Sequence, residues 1–92
     1  NQQPKDNFLR HALALEYIKI GDLQKAKALF TEILTESPDY VGSYYHLAKC
    51  LETLSEKEAA IECYEKGMAA CKLAKDDHAH RELLAAYEDL VY

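Results

Sequence analysis

Apolar residues recur along this chain in helical rhythm, and short polar punctuations interrupt it. In the last segment Leu83, Leu84, Tyr87, Leu90 and Val91 fall at i, i+1, i+4, i+7 and i+8 and make one stripe. Arg81, Glu82, Glu88 and Asp89 take the other side. The breaks upstream have local causes. Asp6 can cap a first helix by accepting from early backbone N–H groups. Gly21 can take the left-handed conformation that ends it, and Asp22 can cap a second helix. At Ser37-Pro38-Asp39 the proline disfavours helical geometry at Ser37, and Asp39 can start the next helix. Ser55 with Glu58 three residues on reads as a capping box opening a fourth. Asp76-Asp77 is the first break after that. The pattern predicts helices near 7–20, 23–36, 40–54, 56–74 and 78–91.

Shifted by 34 residues, the chain falls on itself. Leu13-Ala14 lands on Leu47-Ala48, Ile20 on Leu54, Ala26 on Ala60, Phe30 on Tyr64 and Leu34 on Met68. Ala14 and Ala48 are small where the two helices of a hairpin must approach. Ala26 and Ala60 are their counterparts on the second helices, and Phe30 and Tyr64 fill the space between layers. Alone, each hairpin leaves an apolar face uncovered, so such units stack.

This period and these size classes resemble the tetratricopeptide repeat. Residues 7–40 carry the family's pattern at Leu13, Ala14, Tyr17, Gly21, Ala26, Phe30 and Pro38. Residues 41–74 carry it at Tyr44, Leu47, Ala48, Leu51, Ala60 and Tyr64. The chain departs from it at five places. Arg10 stands where the family favours a large aromatic, Ser55 replaces the inter-helix Gly, and Lys72 replaces the closing Pro. Ile33 and Gly67 replace the usual Ala. The resemblance implies an all-α, right-handed α-α superhelix of two helical hairpins plus one closing helix. It implies a single domain over 1–92, with repeat one at 7–40, repeat two at 41–74 and a capping helix at 77–92. A truncated third repeat describes the last segment equally well.

Composition agrees with one small helical domain. The chain has 92 residues, 49% of them apolar, and only 3 Gly and 2 Pro, which argues against both disorder and a many-turned sheet. A net charge of −5 without a basic stripe argues against nucleic acid as partner. No apolar run reaches the roughly 18–20 residues a membrane span needs, and no signal-peptide pattern opens the chain. The first residue is Asn1 rather than Met, which is compatible with removal of some N-terminal sequence. Cys50, Cys63 and Cys71 are odd in number, lack CxxC spacing and sit in amphipathic patterns. They read as reduced packing residues, which favours a cytoplasmic location.

Catalysis is not expected. The chain has no Gly-rich phosphate loop, no nucleophile motif and no helical HExxH. His78 and His80 beside Asp76-Asp77 are metal-ligand types. At i, i+2 on a helix, however, they point about 200° apart, so neither a metal nor a cofactor is called.

A protein or peptide partner is the expectation. In the tetratricopeptide family the first helix of each hairpin lines a concave groove. The residues that the core does not need there are Phe8, His11, Leu15 and Lys19, then Tyr45, His46, Lys49 and Glu52. Leu15 and Tyr45 suit an anchored contact, although single apolar surface residues are ordinary, and Phe8 serves equally as a cover over the open end. One subgroup grips chaperone C-termini with a Lys/Asn/Asn/Lys/Arg set. Here His11, Leu15 and His46 stand at matching places, so that specificity is not expected. His11 and His46 lie on neighbouring first-position helices. Their approach would make an acidic partner's affinity pH-dependent, which constant binding between about pH 5.5 and 8 would contradict. The alternative is a homodimer through the closing helix or the groove, since two hairpins are marginal and seven tyrosines add adhesive surface.

Overall fold

The computed structural model describes residues 6–92; residues 1–5 of the expected domain lie outside the described residues. The described chain is all-α: α1 Asn7–Lys19, α2 Leu23–Glu36, α3 Gly42–Thr53, α4 Lys57–Ala74 and α5 Asp77–Val91. Helix α1 packs on α2 and α3 on α4. Helix α2 joins the hairpins by packing on α3, and α5 closes against α4 with a lighter touch on α3.

Two of the expected caps are made, at Asp6 and Asp22, and the break at Asp76 supplies a third. Asp6 accepts from the Leu9 N–H at 3.2 Å, Asp22 from Lys25 at 3.2 Å and Asp76 from Ala79 at 3.0 Å. Two expectations fail. Ser55 forms no capping box: Glu56 precedes α4 and makes no side-chain cap bond. Asp39 does not start α3 either, because Val41 flanks that helix and no side chain caps it. Instead Tyr40 N–H donates to the Ser37 carbonyl at 3.0 Å in a turn, which delays the helix.

Ser55 is occupied with ending α3. Gly21, Ser55 and Lys75 all take left-handed backbone, with φ of 83°, 65° and 58°. After each, the next N–H reaches back five residues: Asp22 to Tyr17, Glu56 to Leu51 and Asp76 to Cys71, at 2.8, 2.8 and 2.9 Å. This is the Schellman closure, which satisfies carbonyls orphaned at a helix end. It also explains how α4 stops without a proline at Lys72.

The core holds Ala14, Ala26, Phe30, Ile33, Ala48, Ala60, Tyr64, Cys71 and Leu83. Gly67 lets the layers close: a Cβ there would stand 2.7 Å from Tyr44 Cβ and 2.9 Å from Leu83 Cδ1. The Tyr44 hydroxyl donates to the Pro38 carbonyl at 2.6 Å, pinning the inter-hairpin turn. Arg10 fills its aromatic position by a different route. Its guanidinium reaches Glu32 at 2.9 Å and Glu36 at 3.1 Å, tying α1 to α2. The three cysteines are free and buried. Burial pushes the Cys63 thiol up to about 12.

One motif position behaves differently in the two hairpins. Leu47 is 9% exposed, whereas Leu13, its equivalent, is 46% exposed. The first hairpin covers Leu47, and no described element covers Leu13 in the same way.

Candidate functional site

At about 100° per residue, Phe8, Leu15 and Lys19 fall on one stripe of α1. Tyr45, Lys49 and Glu52 fall on one stripe of α3. Leu15 and Tyr45 are half-buried and pack against the core, while Lys19, Lys49 and Phe8 are exposed. Lys19 Nζ lies 3.3 Å from Glu16, and Lys49 Nζ lies 3.8 Å from Glu52.

Glu52, expected on the groove-facing side, also has a partner in the core. Its carboxylate accepts the hydroxyl of Tyr64, a fully buried core residue, and so is drawn inward. Burial, and then this carboxylate, raise the Tyr64 hydroxyl's pKa, keeping it a donor.

The two histidines turn away from the open stripe toward the contact between α1 and α3. Their ring centroids are 5.4 Å apart, edge to face. Phe30 lies 5.4 Å from His11 and 6.0 Å from His46, and Tyr40 and Tyr45 complete the cluster at 5.9 and 5.5 Å. His11 Nδ1 is 2.8 Å from the hydroxyl oxygen of Ser43, which is itself fully buried. Burial lowers the pKa of both rings. The charge of His46 lowers His11 further, whereas Glu82 of α5 opposes the shift at His46. Both rings therefore stay neutral near pH 7 and pack between the hairpins.

At the start of α5, His78 Nε2 is 3.6 Å from Glu82, both side chains exposed. No three metal-ligating side chains converge among the described residues. None of the described helices is long and apolar enough to cross a membrane.

Two depressions lie elsewhere. One runs between α2 and α4 past Leu34, Leu51 and Ala59, and is bridged by Lys27 Nζ at 2.9 Å from both Glu56 oxygens. The other lies over the end of α4, beside Pro38, Ala69 and the outward-pointing Leu73. Sequence reasoning missed both. Their walls come from helices whose outer residues each read as ordinary solvent-facing positions.

Comparison with known proteins places this architecture. The family model for the tetratricopeptide repeat matches residues 17–87. A tetratricopeptide repeat domain protein from Salinibacter ruber, solved in solution by NMR, superposes with a TM-score of 0.91 at 37% identity, covering 98% of this chain and 91% of its own. A crystal structure of a tetratricopeptide repeat domain protein from the same organism gives 0.90 at 37% identity, covering 94% and 96%. No curated protein matches the chain. With α1 to α4 in two stacked hairpins and α5 closing them, the chain belongs to the tetratricopeptide repeat family, whose domains are typically non-catalytic scaffolds for protein–protein interaction.

Proposed function

We propose that the chain holds a peptide or protein segment along the face formed by Phe8, Leu15 and Lys19 of α1 with Tyr45, Lys49 and Glu52 of α3. One observation carries this reading. Leu15 and Tyr45, on adjacent first-position helices, are each half-buried against the core, so their positions are fixed while part of each remains open to solvent. Anchors already held by packing lose little side-chain entropy on binding. Lys19 and Lys49 at the rim favour a segment with a carboxylate beside its apolar anchor. Glu52, drawn toward Tyr64, shapes the floor rather than reaching the ligand. We read residues 7–40 and 41–74 as the two repeats, and 77–92 as the cap that keeps the second hairpin covered.

The test uses peptides selected on the protein from a random displayed library. The double variant Leu15→Glu/Tyr45→Ala should weaken them by at least about tenfold, with the helical circular dichroism unchanged. Leu73→Ser, over the end of α4, should leave affinity unaltered. Selected peptides that bind the double variant as tightly as the parent would sink the reading.

A further inference from the structure

The outer side of α1 carries a second apolar surface, facing away from Leu15. Leu9, Leu13, Glu16 and Ile20 follow one another at spacings of four, three and four residues. That is the spacing of a helix–helix seam. Leu9 is 61% and Ile20 74% exposed, and Leu13 is nearly half exposed. The internal repeat shows what such a stripe is built to do. Shifted by 34 residues it becomes Ser43, Leu47, Cys50 and Leu54, of which the first three are buried where α3 packs against the first hairpin. On α1 no described element gives the same stripe such cover.

We propose that this face pairs with a second copy of the chain, the two α1 helices lying antiparallel about a twofold axis. Geometry and charge both favour this occupant. In an antiparallel seam of this spacing, residues whose numbers sum to about 29 come level. Leu9 then meets Ile20 of the second copy, and Leu13 packs beside Leu13 and Glu16 of the second copy. The seam's acid, Glu16, already has Lys19 Nζ at 3.3 Å, so no naked carboxylate enters the contact. The α1–α2 turn of the second copy that comes level with Asp6 is itself charge-balanced, Lys25 Nζ lying 3.8 Å from Asp22. Antiparallel α1 helices also set the positive end of each helix dipole beside the negative end of the other. The contact is small. A helix roughly 20 Å long places it at the low end of interface sizes, below about 1,200 Å², where association is weak and reversible.

Sedimentation equilibrium from about 10 µM to 1 mM should show the weight-average mass rising from one chain toward two. Leu13→Glu should hold the mass at one chain with unchanged helical circular dichroism, because Leu13 contributes little to the intramolecular core. Leu13→Cys should form a covalent dimer under mild oxidation, while Lys49→Cys on the groove face should not. The native cysteines are buried and stay out of the reaction. A monomer throughout the range, a dimer that survives Leu13→Glu, or equal cross-linking from both cysteine variants would overturn the proposal. Groove binding by Leu15 and Tyr45 is read separately from these outcomes, since Leu15 lies on another side of α1 and Tyr45 lies on α3.

Discussion

Gly67 of α4 sits against the Cβ of Tyr44 so closely that a methyl group at Gly67 would stand 2.7 Å from it. The family's usual alanine is excluded here by a tyrosine whose hydroxyl is tied to Pro38 and whose ring therefore cannot retreat.

Gly67→Ala thus sets two effects against each other. Helix propensity favours alanine by about 1 kcal/mol. Overpacking a tight layer costs about 1–3 kcal/mol, and here the clash involves a Cβ fixed to the backbone and Leu83 as well. The expected outcome is a net loss of up to about 2 kcal/mol in urea unfolding, with the unfolding slope unchanged. A more stable alanine variant would mean the layers can separate without cost.

The left-handed closures predict the opposite sign. Ser55 and Lys75 hold φ values of 65° and 58°, which cost an L-residue roughly 1–2 kcal/mol. Part of that is offset because glycine frees the unfolded chain. Ser55→Gly and Lys75→Gly should each stabilise by about 0.5–1 kcal/mol, raising Tm by a few degrees, and the two gains should add. Gly21→Ala, at the equivalent closure, should lower Tm.

The histidine pair makes stability depend on pH. Both imidazoles have folded-state pKa values below the ordinary 6.5. On acidification the unfolded chain therefore takes up protons first. Their contribution is fully present above about pH 6.5 and is lost as pH falls from there through the folded-state values. Thermal unfolding should show Tm falling over that window, and the double variant His11→Gln/His46→Gln should flatten the slope. An unchanged slope would place the titrating groups elsewhere.

Most of the architecture was legible because the 34-residue period repeats both size and spacing. Small Ala14 and Ala48, and large Phe30 and Tyr64, could play only one part each in a stacked hairpin. Ser55 was misread because serine is a natural helix starter. The residue must also end α3, and only backbone geometry shows which demand prevails. Leu13 matches the family pattern, yet that pattern assumes a neighbour on each side, and α1 has a described one on only one. Glu52 was assigned to the open face because its partner, the Tyr64 hydroxyl, comes from another helix. Local periodicity carries no record of such a bond. The approach of His11 to His46 was visible in outline, but their burial among Phe30, Tyr40 and Ser43 depends on packing between hairpins.

The central claim is that the first-position helices carry the partner. The most direct measurement is amide chemical-shift mapping of the labelled protein titrated with a library-selected peptide. Perturbations should concentrate around Leu15, Lys19, Tyr45 and Lys49, and vanish in Leu15→Glu/Tyr45→Ala. Perturbations centred on the α2–α4 cleft around Lys27 and Glu56, with Leu15 and Tyr45 unmoved, would contradict it.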